Sequence, residues 1–153
     1  MTPSIRTSLD KKLIGIKVSM SLAMDKTPEL WQRFMTRRKE IEKVIGTDFI
    51  SMQVYPSLAY FQQFNPANPF DKWATVEVQN FEKIPDGMGS FTIPAGKYAV
   101  FIHRGGPPTA QKTYHYIFQE WLPGSQYVLD QRPHFDVLGE KYKNAHPDSE
   151  EEI

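Results

Sequence analysis

The chain has 153 residues, with 18 basic and 18 acidic side chains, so its formal net charge is zero. This length predicts a single domain, residues 1–153, and the charge balance disfavours direct binding to nucleic-acid phosphates. Cysteine is absent, which excludes disulfides, thiolate metal ligands and a cysteine nucleophile. The longest apolar run, residues 98–102, is too short for a membrane span or a signal-peptide core. We therefore expect a soluble, cytoplasmic protein that does not associate with membranes.

The N-terminal half begins with residues 1–8, which are polar without a clear period and predict a loose lead-in. Residues 13–18 are apolar and β-branched and predict a strand. A helix is predicted from an N-cap at Thr27, with Pro28 in its first turn, to a C-cap at Gly46. Its expected buried face consists of Leu30, Phe34, Ile41 and Ile45. Residues 49–55 and 73–78 are the next predicted strands, separated by a turn-rich connection.

The C-terminal half repeats this order. Residues 88–93 and 97–103 are strand-like, and a second helix is predicted from an N-cap at Thr109 to the stop at Pro123 and Gly124. The apolar face of this helix consists of Tyr114, Ile117, Phe118, Trp121 and Leu122. Residues 135–142 and 150–153 are predicted strands, separated by a polar turn at 144–149. The two halves meet near residue 85.

This repetition predicts an α+β fold of duplicated β-α-β-β units. Two such units in one small domain favour a mostly antiparallel sheet with two helices on one face. A pseudo-two-fold arrangement leaves a central groove between the helices, and small molecules usually bind in grooves of this kind.

Catalytic and metal-binding signatures are weak. The four histidines, at positions 103, 115, 134 and 146, have no metal-ligand spacing, so we predict no metal and no cofactor. Glycine motifs that cradle phosphates are also absent. The basic face of the first helix is interleaved with acidic residues, which favours a solvated surface over a nucleic-acid interface.

Carboxylates among aromatic residues remain as the candidate chemistry. Strand alternation over residues 135–142 places Asp136 and Glu140 on one face, which either meets solvent or lines a pocket. A buried carboxylate costs several kcal/mol unless a positive charge compensates it, and a cationic ligand is one such charge. Aromatic walls attract cations as well. The candidate wall residues are Tyr55, Trp73, Tyr114, Phe118 and Trp121, and an ordinary aromatic core stays open as the alternative for each.

Six segments carry a resemblance to a known family. They are residues 27–34 (TPELWQRF), 52–56 (MQVYP), 70–78 (FDKWATVEV), 93–103 (IPAGKYAVFIH), 116–125 (YIFQEWLPGS) and 132–142 (RPHFDVLGEKY). In this order and spacing, the chain from about residue 12 to its end resembles the GyrI-like small-molecule-binding domain, also described as the effector-binding domain of AraC-type transcription regulators.

The resemblance implies the duplicated fold and a central groove that binds varied small molecules, often lipophilic cations. It also implies an acidic residue in the penultimate strand region with aromatic residues around it. Family members commonly carry Glu where this chain has Asp136, so Glu140 is the preferred carboxylate and Asp136 the second choice. This chain departs from the family in one respect: members attached to DNA-binding domains act as transcription sensors, whereas the chain has no room for a helix-turn-helix module before Lys12 or after Ile153, so we expect a stand-alone domain. Family members also usually continue with a few more strand residues.

The preferred function is a stand-alone binding domain that senses or sequesters amphipathic, cationic small molecules. The alternative is a hydrolase of strained electrophilic molecules, as among some relatives, with Glu140 as the acid or base. A third reading, suggested by the gyrase-inhibitor relatives, is a protein partner that binds the basic face of the first helix. Haem binding has no specific support. The natural ligand and the choice between monomer and homodimer stay open.

Overall fold

A computed structural model describes residues 2–62, 65–140, 142 and 150–153. The predicted turn at residues 144–149 lies outside these. The strands of the described part are β1 (Ser4–Ser8), β2 (Lys11–Met20), β3 (Phe49–Val54), β4 (Phe70–Val78), β5 (Gly89–Ile93), β6 (Gly96–Val100), β7 (Ile102–Arg104), β8 (His134–Leu138) and β9 (Glu150–Glu152). The helices are α1 (Thr27–Arg37) with a 3₁₀ turn (Arg38–Glu40), α2 (Ala59–Gln62), and α3 (Pro107–His115) continued by a π-helix (Tyr116–Trp121). Among the described helices, none is long and apolar enough to cross a bilayer.

Seven strands form one antiparallel sheet in the order β5-β2-β4-β3-β8-β9-β7. The remaining two, β1 and β6, pair in a separate antiparallel ribbon from Ser4 opposite Val100 to Ser8 opposite Gly96. The prediction of a loose lead-in over residues 1–8 is therefore wrong. Most side chains of β1 are exposed and give no alternating signal, but its backbone is ordered by pairing with β6.

The sheet confirms the predicted duplication. Each half contributes a strand, a helix and two further strands: β2, α1, β3 and β4 in the first half, and β7, α3, β8 and β9 in the second. In the sheet, the order β2-β4-β3 continues as β8-β9-β7, so the equivalent strands lie symmetrically about the junction of β3 and β8. The ladder between β3 and β8 is centred on Ser51 and Asp136, so the pseudo-two-fold axis exchanges these two positions. A side chain at either position lies beside the axis and therefore near the middle of the domain.

Both main helices lie on the same face of the sheet, as predicted. Leu30 and Phe34 of α1 are buried in a core with side chains of β2 and β4 that include Ile16 and Ala74. Asp136 of β8 lies on the face of Ala74, because both lie opposite Ser51 in neighbouring ladders, and Tyr114 of α3 contacts it. The other face of the sheet carries a second core of Leu13, Ile50, Met52, Trp73 and Ile93.

The first helix is shorter than predicted. It ends at Arg37, and after one 3₁₀ turn Ile41 is extended, so the predicted C-cap at Gly46 is wrong. The following residues instead run along the end of β4: Val44 forms a β-bridge with Val78, and the Ile45 N–H donates to the Glu77 carbonyl at 2.8 Å. Pairing with β4 satisfies these backbone groups, so it outweighs the local helical pattern.

Candidate functional site

A cavity of about 450 Å³ lies between the β1–β6 ribbon, strand β8, and the second helix with the segment that follows it. Its walls are mainly apolar, and its size suits a drug-sized molecule. The aromatic lining residues are Tyr98, Phe101, Tyr114, Phe118, Trp121, Tyr127, His134 and Phe135.

The second helix turns its apolar face towards this cavity. All five residues of the face predicted by helical spacing line it, and Trp121 packs edge-on against Phe101 with ring centroids 5.2 Å apart. The π-helix forms part of this wall, and the Leu122 N–H donates to the Ile117 carbonyl at 2.9 Å as the helix ends. Such π-helical turns occur frequently at functional sites. The helix starts at Pro107 rather than after Thr109, whose hydroxyl donates to the Gly106 carbonyl at 2.9 Å.

Asp136 lies in the cavity wall and is only 7% exposed. The Tyr114 hydroxyl donates to both of its carboxylate oxygens, at 3.0 Å and 3.2 Å. Burial and the neighbouring carboxylate raise the pKa of Tyr114 well above its ordinary value, so the phenol keeps its proton and stays a donor. This contact fixes the carboxylate of β8 against the second helix.

Burial raises the pKa of Asp136, and three neighbours oppose this shift: the Lys72 ammonium, the Tyr114 hydrogen bond and His103. Lys72 lies on β4 and is also 7% exposed. Burial lowers the pKa of Lys72, and the attraction of Asp136 opposes that effect. Burial and repulsion from Asp136 raise the pKa of Glu151 on β9 to about 7. These groups form a buried charge cluster beside the cavity, which we call the central cluster: Lys72, Asp136, Glu151 and Tyr114.

Gln53 connects the central cluster to β8. With its amide oriented to satisfy both neighbours, its oxygen accepts from Lys72 Nζ at 2.6 Å and its nitrogen donates to the His134 carbonyl at 2.8 Å. The Gln53 side chain is buried, so these hydrogen bonds hold Lys72 in place without help from solvent.

An aromatic stack supports the cavity from the side of α2. Phe61, Phe118 and His134 stack on one another with centroids 5.1–5.6 Å apart. Burial lowers the pKa of His134 to about 4, so the imidazole is neutral at physiological pH. Tyr55 packs edge-on against Phe61 and lies behind the stack, without lining the cavity.

The cavity brings together four of the seven residues singled out from the sequence: Asp136, Tyr114, Phe118 and Trp121. Trp73 lies on the opposite face, 5% exposed in the second core, because strand alternation points it away from Lys72. Glu140 also lies elsewhere: β8 ends at Leu138, so the alternation that placed Glu140 beside Asp136 does not reach it.

Glu140 lines a second cleft, of about 360 Å³, whose walls are acidic. The other carboxylates of this cleft are Asp48, Glu151 and Glu152. Of the residues that the structure describes, no three histidines or carboxylates are grouped so that they could hold a metal ion.

Sequence reasoning missed several residues of the site. Lys72 lies one residue before the predicted strand 73–78, so its place on the helix-covered face was not considered. Arg132 also lines the cavity, 4.6 Å over the Tyr98 ring, and donates to the Lys97 carbonyl at 3.0 Å. Only a predicted strand that began at Phe70, as β4 does, would have placed Lys72 on the helix-covered face. At the cavity mouth, Val128 is 90% exposed, so the rim is partly apolar.

Comparison with known proteins gives a family match over the whole chain. The model of the GyrI-like small molecule binding domain matches residues 1–153. A curated relative, the transcriptional regulator BrlR of Pseudomonas aeruginosa strain PAO1, is 32% identical over 113 residues. The match covers 72% of this chain and 38% of the regulator, so the chain corresponds to a minor part of that protein's length.

Solved structures share the fold. SAV2435, solved bound to tetraphenylphosphonium, has a TM-score of 0.72 at 18% identity, covering 100% of this chain and 92% of that one. The integron cassette protein VCH_CASS2 of Vibrio cholerae has a TM-score of 0.68 at 17% identity, over 99% and 93% of the two chains. EcmrR, solved with DNA, has a TM-score of 0.71 at 16% identity, over 99% of this chain and 55% of its own. At these identities the likeness concerns the fold.

Proposed function

Because this chain belongs to the family of GyrI-like small-molecule-binding domains, we propose that its cavity binds lipophilic organic cations and that Asp136 is their countercharge. The observation that carries the proposal is a carboxylate, 7% exposed, in the wall of a cavity lined mainly by apolar and aromatic side chains. A bound cation would compensate the buried negative charge, and a neutral ligand of the same shape would not.

The aromatic lining adds to this preference. A cation over the face of a tryptophan or tyrosine gains about 0.5–2 kcal/mol, and more when the site is shielded from water. Trp121 offers such a face, and Tyr114 holds the carboxylate through its hydroxyl. The apolar rim around Val128 favours ligands with hydrophobic substituents over small hydrated cations.

Two relatives support the ligand class and the biological role. SAV2435 was solved bound to tetraphenylphosphonium, a lipophilic cation, and it shares this fold over nearly its whole chain. The BrlR relative is a transcriptional regulator, so a sensing role in regulation is one use of the binding event, and sequestration of the ligand is the other.

The test is a calorimetric titration of the purified domain with tetraphenylphosphonium, alongside the neutral molecule triphenylphosphine oxide. We expect micromolar affinity for the cation, which corresponds to about −8 kcal/mol, and weaker binding of the neutral molecule. Asp136→Asn should weaken cation binding at least about tenfold, in line with the effect of one nearby opposite charge. Glu140→Gln is the matched control, because Glu140 lines the second cleft, and it should leave the affinity unchanged.

Equal affinity for the two molecules, or full cation affinity in Asp136→Asn, would contradict the proposal. A loss confined to Glu140→Gln would move the binding site to the second cleft. Recovery of the ligand chemically unchanged after long incubation is expected of a binding domain, and a hydrolysed ligand would favour the hydrolase alternative.

A further inference from the structure

The pseudo-two-fold axis places a buried cation and a buried acid at equivalent positions. Met52 of β3 lies opposite Trp73, and its symmetry equivalent in β8, Val137, lies opposite Glu152. The residues one step earlier in β4 and β9, Lys72 and Glu151, are therefore equivalents. Both lie on the helix-covered face and flank the axis.

Lys72 and Asp136 lie on the same face of the sheet with β3 between their strands, and the Lys72 charge favours the ionised carboxylate. Lys72 does not line the cavity, and Gln53 holds its ammonium group at 2.6 Å. Tyr114 approaches the same carboxylate from the second helix. Asp136 thus has an internal cation on its own face of the sheet and a neutral donor bound to it, both supplied by the protein itself.

We propose that Lys72 is a specificity-determining residue: it shares the charge of Asp136 with the bound ligand, and thereby sets both the strength of the preference for cations and the pH above which cations bind. This inference rests on the proposed function, because it assumes that Asp136 attracts the ligand. Lys72 acts here through the carboxylate and without touching the ligand.

Two effects of the Lys72 charge oppose each other. Its attraction stabilises ionised Asp136, so the carboxylate stays available for cations at lower pH. Its repulsion weakens the binding of a second positive charge next to the same carboxylate. The other titratable groups facing Asp136 are Glu151 on β9, His103 on β7, His134 on β8, Tyr114 on α3, Tyr55 after β3, and Tyr142. Glu151 adds negative charge as it ionises near pH 7, and the Lys72 charge lowers its pKa as well, so the comparison is repeated in a Glu151→Gln background to isolate the effect on Asp136.

The experiment is a pH series of tetraphenylphosphonium titrations with the wild type and Lys72→Met. Without Lys72, the pH midpoint of cation binding should rise by about one unit or more, the usual effect of losing one close opposite charge. Above the midpoint, where the carboxylate is ionised and Lys72 still carries its charge, the variant should bind the cation about tenfold more tightly than the wild type. The affinity for triphenylphosphine oxide should be the same in both proteins at every pH of the series.

Lys83→Met is the matched control, since it removes the same charge from an exposed lysine paired with Glu42 on the surface. It should leave both the midpoint and the affinity as in the wild type. An unchanged midpoint in Lys72→Met, or equal changes for cationic and neutral ligands, would overturn the inference. If the wild type shows no cation preference at all, the proposed function fails first, so the two failures are distinguishable.

A second measurement applies if Lys72→Met folds poorly. The double variant Lys72→Met/Asp136→Asn removes both buried charges, so it should be more stable in urea than Lys72→Met alone. Additive losses of stability from the two substitutions would mean that the charges do not interact, and would overturn the inference without any ligand.

Discussion

The hydrogen bond from Tyr114 to Asp136 gives the most direct test of the central cluster. Tyr114→Phe removes one hydroxyl and leaves the ring, so the cavity wall keeps its shape. The lost donor contacts both carboxylate oxygens, at 3.0 Å and 3.2 Å, and a hydrogen bond to a charged group contributes about 1.5–3 kcal/mol. We therefore expect the free energy of unfolding to fall by about 1.5–3 kcal/mol where Asp136 is ionised.

The size of this loss should depend on pH. Asp136 has a raised pKa in the folded state, and losing the donor raises that pKa further from its unfolded value. The folded variant therefore holds a proton more tightly, and its deficit relative to the wild type grows as pH rises through the folded pKa. Once Asp136 is protonated, the missing bond is one between neutral groups, and the deficit should shrink to about 0.5–1.5 kcal/mol.

Urea denaturation at a series of pH values across the range in which the domain is folded, followed by circular dichroism, measures both limits of the deficit. For a domain of this length, 1.5–3 kcal/mol corresponds to a fall in melting temperature of about 3–12 °C, which a thermal scan detects. Tyr127→Phe at the exposed rim of the cavity is the matched control and should change stability little. A deficit that does not grow with pH anywhere in the series, or that is absent at its alkaline end, would refute the charged hydrogen bond.

Three further predictions concern other parts of the site and the sheet. The raised pKa of Glu151, about 7, means that the folded state favours its protonated form, so the free energy of unfolding should fall as pH rises from about 4.5 through 7. Glu151→Gln should reduce this pH dependence, measured by urea denaturation at pH 5 and pH 8. The same pH dependence in the variant would contradict the raised pKa of Glu151. Trp121→Leu should weaken tetraphenylphosphonium binding by about 2- to 30-fold and remove most of the change in tryptophan fluorescence that accompanies binding. Trp73→Phe in the opposite core should keep the wild-type affinity and the fluorescence change. The reverse result would place the ligand on the other face of the sheet. Gly15→Ala should lower the free energy of unfolding by about 1–3 kcal/mol, because its new Cβ would clash with the Ala74 carbonyl oxygen of the neighbouring strand. Wild-type stability in a thermal scan would contradict this close approach of β2 and β4.

The duplicated fold could be predicted from the sequence because its signals are local and occur twice. Alternating and helical apolar patterns identify the strands and the two helices, and the repeated order implies the antiparallel sheet with both helices on one face. The end of α1 could not be predicted in the same way. Ile41 and Ile45 continue the helical spacing, but the β-bridge from Val44 to Val78 competes with the helix and is invisible without the sheet.

The candidate site is harder to predict than the fold because it depends on strand length. Treating residues 135–142 as one strand placed Asp136 and Glu140 on one face, and the family resemblance made Glu140 the preferred carboxylate, but β8 ends at Leu138, and of the two only Asp136 lines the cavity. The predicted third strand began at Trp73 and therefore left out Lys72, whereas β4 begins at Phe70. Alternation reports which face a residue takes only when the strand's bounds are known, and tertiary contacts set those bounds.

The central cluster also shows how a duplicated fold acquires a single binding site. An exact two-fold would place identical side chains at Ser51 and Asp136 beside the axis, and at Lys72 and Glu151 on either side of it. Two aspartates at the axis would repel each other in a buried environment, and an acid with two flanking lysines would carry excess positive charge. The observed set has one acid at the axis, one flanking lysine, and one flanking acid whose raised pKa, about 7, keeps it mostly protonated below neutral pH. This asymmetry limits the net charge of the central cluster and directs the buried Asp136 carboxylate to the cavity on the side of the second helix.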